Sequence, residues 1–229
     1  MKIFPKSLHY SVLVLLFTFL GTSHTFSQKQ KAFIGMLEYK VSARDTSMQK
    51  FLPSYSMLIY TNDTIARKEN ATQQLGTQIE ILNMSMNKAY LLLTTAAGKF
   101  AIKTDLNKAK VDTTKSSYTF KKKFFRRKIV GIRAKRMLVS HASFEQPIEF
   151  LYLKKRANKY NKVFGEIPGL IVKYSIVTAD GILDYELIKI SEYTPNRDLF
   201  GIPSDYKKVS FDEFLDIVTA PENERVIEQ

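Results

Sequence analysis

Apolar and polar residues alternate along most of this chain, and turn residues break the alternation at intervals of roughly 8–14 residues. That rhythm constrains the fold more than any other feature. Phe33, Gly35, Leu37, Tyr39 and Val41 fall on one face, with Ile34, Met36, Glu38 and Lys40 on the other, as a half-buried strand requires. Residues 56–60 and 65–69 flank Thr61-Asn62-Asp63-Thr64, where Asn and Asp tolerate the positive φ of a tight turn. Residues 78–86, 89–95 and 100–104 read as further strands, separated by Asn87-Lys88 and by Ala97-Gly98-Lys99. Residues 105–120 read as a polar loop, and strands follow at 128–132, 135–140 and 147–154. Asp180-Gly181, a type I′ signal, joins 169–179 to 182–193. The one short helix spans 211–217, where Ser210 and Glu213 can form a capping box. About ten strands joined by short turns predict a mainly β fold with little helix. A single sheet of that size must curl or split, so we expect a large curved antiparallel sheet, an open half-barrel with a short C-terminal helix.

The first 27 residues read as a signal peptide. Lys2 and Lys6 precede an apolar run at 12–20, too short to span a bilayer, where about 20 residues are needed. Thr25 and Ser27 supply small residues before a cleavage site at Gln28, and no Cys is present for a lipid anchor. An uncleaved anchor is the alternative. The expectation is one antiparallel β domain over 28–220, a polar tail over 221–229, and an exported protein of the periplasm or outer-membrane periphery. With no Cys in 229 residues, disulfides and thiolate chemistry are excluded.

Charge is strongly segregated. Residues 28–98 hold 8 basic and 5 acidic residues, 99–163 hold 19 and 4, and 164–229 hold 6 and 13. The middle third therefore carries the whole basic excess. An exported protein seldom meets nucleic acid, so an anionic membrane surface or an acidic envelope partner is the expected counterpart. The sharpest local feature is Lys121, Lys122, Lys123, Phe124, Phe125, Arg126, Arg127 and Lys128: six cations around two aromatic rings. Each cation near an anionic surface contributes about 1 kcal/mol, and Phe rings can enter the headgroup boundary. On the alternative reading, alternation seats one Phe in the core and the cations protect a sheet edge from aggregation. Lys154, Lys155, Arg156, Lys159 and Lys162 are candidates to extend the patch.

Catalytic motifs are sparse. His141 is the one His beyond residue 27, with Ser140, Ser143 and Glu145 nearby, and no G-x-S-x-G elbow accompanies it. Asp184 and Glu186 share a strand face near Asp180, which admits a carboxylate pair but better fits an exposed polar face. No calcium loop or phosphate-binding Gly motif is present, and the N-x-[ST] matches at Asn62, Asn70 and Asn83 read as chance. We expect no enzyme, metal or cofactor. Leu58, Tyr60, Ile79, Ile81, Leu91, Leu93, Met137, Val139 and Leu151, with Leu170 and Val172, are expected to share the inner face of the curl. There they would either fill a core or line a cavity.

The segment 129–136, Ile-Val-Gly-Ile-Arg-Ala-Lys-Arg, is followed by Glu149-Phe150-Leu151-Tyr152, then Gly165-Glu166-Ile167-Pro168-Gly169-Leu170-Ile171, and finally Phe200-Gly201-Ile202-Pro203 with Tyr206. This order resembles the GLPGLI family of exported Bacteroidetes proteins and a neighbouring uncharacterised family. Ala134 stands where those families usually have Cys, and Leu151 where Trp is usual. The resemblance implies a fold like that of the LolA and LolB lipoprotein carriers, an unclosed barrel around a hydrophobic cavity. The functional expectation is a non-enzymatic envelope protein that binds a lipid or other apolar ligand in its concave face. The alternative is an envelope structural or interaction protein that docks an acidic partner through its basic patch.

Overall fold

The computed structural model describes residues 30–72, 76–105, 118–157, 159 and 164–219. The expected signal peptide, the polar tail and most of the expected 105–120 loop lie outside them. The described strands are β1 (Ile34–Ala43), β2 (Tyr55–Asn62), β3 (Ile65–Thr72), β4 (Gly76–Asn83), β5 (Lys88–Thr95), β6 (Gly98–Asp105), β7 (Thr119–Ile129), β8 (Ile132–Ser140), β9 (Ile148–Leu153), β10 (Leu170–Thr178), β11 (Gly181–Glu192) and β12 (Lys207–Val209). All belong to one sheet, in the order β12-β6-β5-β4-β3-β2-β1-β11-β10-β9-β8-β7. Neighbours are antiparallel except β12, which runs parallel to β6. The fold is mainly β, a curved sheet left open at β12 and β7, as the alternation predicts. Helix α1 (Thr46–Gln49) is a single turn, and α2 (Phe211–Thr219) is the short C-terminal helix. No described helix is long and apolar enough to cross a membrane.

Two meanders meet at β1, which pairs with β2 on one edge and β11 on the other. Its alternate residues Leu37, Tyr39 and Val41 are buried in the main core with Met57, Ile59, Phe150, Val172 and Leu187. Tyr39 also solves a backbone problem. The β9–β10 register shifts between Ile171 and Lys173, and such a bulge interrupts the ladder of backbone partners. The buried Tyr39 hydroxyl donates to the Ile171 carbonyl at 2.8 Å, reaching across β11 to do so.

Smaller clusters finish the other half of the sheet. Ile81, Leu92 and Ala101 are covered by Ile202 and Tyr206, and Phe100, Ile102 and Val209 by Phe214 and Ile217 of α2. The closing Phe-x-Ile-Pro-x-x-Tyr segment thus serves packing. Ser210 and Glu213 form the expected capping box: the Glu213 N–H donates to Ser210 Oγ and the Ser210 N–H to the Glu213 carboxylate. In the 164–170 segment, Phe164 and Ile167 are buried. A Cβ at Gly169 would lie 2.5 Å from the Leu153 carbonyl oxygen, so only glycine lets these backbones approach.

Three local expectations are corrected. The strand expected at 128–132 does not exist as such: β7 runs through the basic segment to Ile129, and Val130-Gly131 is the turn into β8. A β-branched Val, poor in left-handed conformations, disguises that turn. The last hairpin turns at Ala179-Asp180, because Thr178 pairs with Gly181. Asp180 has no positive φ, so the turn is not type I′. The eleven expected segments become twelve strands, because β7 takes the place of 128–132 and the three-residue β12 also pairs.

Replacing Tyr39 with Phe leaves the Ile171 carbonyl buried without its donor, at an expected cost of about 1–3 kcal/mol, measured by urea unfolding. A second expectation concerns Tyr185. Burial, with the Tyr55 hydroxyl beside it, pushes the Tyr185 phenol well above the usual tyrosine range. Its contribution to stability is complete below about pH 10, where unfolded tyrosine begins to ionise, and is lost as pH rises through the raised value. Urea unfolding above about pH 10 should therefore fall less steeply with pH in Tyr185→Phe than in the wild type.

Candidate functional site

The β7–β8 hairpin, residues 119–140, contains nine Lys and Arg residues and no acid. It forms one rim of the sheet, where β7 pairs with β8 and, among the described residues, has no partner on its other edge. The six predicted cations, Lys121, Lys122, Lys123, Arg126, Arg127 and Lys128, are all exposed. Among the described residues, Arg127 is the one of the six with an ion pair, to Glu149 at 3.3 Å. Glu149 also receives Arg136.

Phe124 and Phe125 are both outside the core, 92% and 74% exposed. Their rings meet edge to face, with centroids 6.1 Å apart. Neither ring takes the core position that alternation assigns to one of them. Lys123 pairs with Arg136 and Arg127 with Ala134, so three residues of β7 oppose Lys135 alone. This bulge breaks the period of two and turns both rings away from the sheet.

The proposed extension of the patch is partly neutralised. Arg156 pairs with Glu192 and Lys159 with Asp63, whereas Lys154 and Lys155 are exposed at the end of β9. Lys162 lies outside the described residues.

The expected cavity residues do not share a face. Leu58 pairs with Glu69 and Glu69 with Ile79, while Tyr60 pairs with Arg67 and Arg67 with Ile81. These four lie on one face of the sheet. Ile79 pairs with Leu92, which sends Leu91 and Leu93 to the opposite face, beside Ile102 and Phe100. Met137 and Val139 are buried in the main core, opposite Phe150 and Ile148. Leu151, also buried in the main core, pairs with Arg136 and Lys173 and lines an open cleft next to β7. Leu170 and Val172 are buried in the main core. A one-residue difference in register reverses a strand's faces, and alternation alone does not reveal register between strands.

The sparse catalytic candidates are tied up structurally. Asp184 accepts from Arg44 and from Ser175, and Glu186 accepts from Lys173 at 2.6 Å, so each carboxylate has its own cation. His141 Nδ1 accepts from the Ser143 backbone N–H at 3.0 Å, the position from which a catalytic-triad His would donate to its acid. Its ring rests against Tyr118, 4.5 Å between centroids.

No family model matches the chain, and no curated protein matches it. Among solved structures, PNGF-II in a P21 crystal form aligns with 80% of this chain at 13% identity and a TM-score of 0.43. The chain spans about a third of that protein, 33% of its length. A likeness of that degree carries no argument about fold or activity.

The double variant Phe124→Ala/Phe125→Ala should unfold within about 0.5 kcal/mol of the wild type, as exposed positions do. Phe150→Ala, in the core, should cost about 3–5 kcal/mol. Urea unfolding of the three proteins tests the placement of the rings.

Proposed function

We propose that this protein is a non-enzymatic component of the cell envelope that docks on anionic lipid surfaces through the β7 edge. The observation that carries the reading is the pair of adjacent, exposed Phe rings within a run of six exposed cations. Protection of a sheet edge accounts for lysines and for a bulge, but two exposed aromatic rings on an open edge work against such protection. Cations that attract anionic headgroups, with rings that enter the boundary below them, account for both. The signal peptide expected over residues 1–27 and the resemblance of the sequence motifs to exported GLPGLI-type proteins support an envelope setting.

The second reading, an apolar ligand carried within a LolA-like curl, draws support from the open curved sheet. Its expected lining, however, is divided between two faces and two covered clusters, so the edge is the stronger candidate. An acidic protein partner at the same edge would use the cations without needing the rings.

The test is co-sedimentation of the purified protein with phosphatidylglycerol and phosphatidylcholine vesicles. Binding should require the anionic lipid and weaken as salt shortens the Debye length below about 10 Å. Lys121→Gln/Lys122→Gln/Lys123→Gln should lose about 3 kcal/mol of binding. Phe124→Ala/Phe125→Ala should lose at least about 2 kcal/mol if the rings are buried on binding. Equal binding to both vesicle types would refute the reading, and full binding by the double Phe variant would return the edge to an acidic partner.

A further inference from the structure

The geometry points to a second element of this surface: a site for one anionic single-chain amphiphile in the open cleft between the β7–β8 turn and β11. The inference deepens the docking reading and rests on it for the source of the ligand, since a membrane supplies such molecules. The cleft has a volume of about 420 Å3, within the range of small-molecule sites. The buried Ile129, Leu151 and Leu187 lie along it, beside the polar Arg127, Lys128, Lys173 and Glu186. Its exposed walls are Val130 and Ile188.

Both walls come from departures of the backbone from a regular sheet. Ile188 is the extra residue of a bulge, because Glu38 pairs with Lys189 and Tyr39 with Leu187; a bulge re-aims a side chain. Val130 has φ 44° and Gly131 φ 79°. Two successive left-handed residues make a turn for which Asn-Gly is the favoured pair, and a β-branched residue is a poor choice there. The strained choice places an isopropyl group against the cleft where Asn would place an amide. Strain of this kind concentrates at ligand sites.

The charges select the head of the ligand. Lys173 is matched by Glu186 at 2.6 Å, and Arg127 shares Glu149. Lys128 has no ion pair among the described residues, so it presents the uncommitted cation of the cleft. Carboxylate or phosphate oxygens accept strong hydrogen bonds from Lys128 and Arg127, while an alkyl chain covers Leu151 between Val130 and Ile188. Glu186 opposes a second anionic group, so one anionic head with one apolar tail fits the lining.

The test titrates the purified protein with sodium dodecanoate and dodecyl phosphate below their micellar concentrations, with dodecyltrimethylammonium as the cationic control. Saturable binding of one anionic amphiphile per chain is expected, with no binding of the control. Ile188→Asp and Val130→Asn should each weaken it at least tenfold and leave vesicle pelleting unchanged. Val130→Asn should also unfold at higher urea than the wild type, which separates loss of the wall from loss of the fold. Phe124→Ala/Phe125→Ala should do the reverse, losing vesicles and keeping the amphiphile. Displacement of bound dodecanoate by phosphatidylglycerol vesicles would assign the site to a bilayer headgroup, and simultaneous binding would assign it to a free monomer; either supports the cleft. No saturable uptake, equal affinity in both wall variants, or equal binding of the control would overturn it. Amphiphile binding without vesicle binding would refute the surface reading and leave the cleft standing.

Discussion

Hydrogen-bonding along both edges of β1 holds the two halves of the sheet together. Residues from β2 to β6 run away from it on one side, and the chain returns from the far rim, β7 to β11, on the other. A strand that is paired on both edges and buried on one face has little freedom of register, because a one-residue slip would send Leu37, Tyr39 and Val41 to the wrong side. The Tyr39 hydroxyl reinforces this by tying β1 to the carbonyl of Ile171 two strands away. The core grows outward from that strip, and the rims inherit whatever the chain has left.

What remains at the two rims is very different. At one, β12 and α2 close the sheet over Phe100 and Ile102, with a parallel pairing and a capped helix. At the other, β7 pairs with β8 alone among the described strands, and its bulge lies beside exposed cations and two exposed aromatic rings. The bulge is therefore the link between backbone geometry and the proposed docking surface, just as the bulge at Ile188 and the left-handed Val130 link it to the cleft.

Strands, turns and the capping box could be read from local residue patterns, since each depends on neighbours a few positions apart. Asn62-Asp63 and Ser210 with Glu213 behave as their chemistry demands; Asp63 does take positive φ. Val130-Gly131 was hidden because the residue in the turn is one that turns disfavour. The cavity set failed for a different reason. Leu91 and Ile79 each look inward-facing along their own strand, but the pairing of Ile79 with Leu92 puts Leu91 on the other side.

Composition and alternation were enough to establish a mainly β chain, its curled antiparallel sheet, and the concentration of positive charge in the middle third, because these follow from short-range periodicity and from counting. Register, strand order and the positions of bulges came from long-range pairing, which depends on contacts between residues up to a hundred or more positions apart. Those contacts placed the basic segment on an open rim and set Phe124 and Phe125 in solvent. They also brought Val130 and Ile188, 58 residues apart in sequence, to the walls of one cleft.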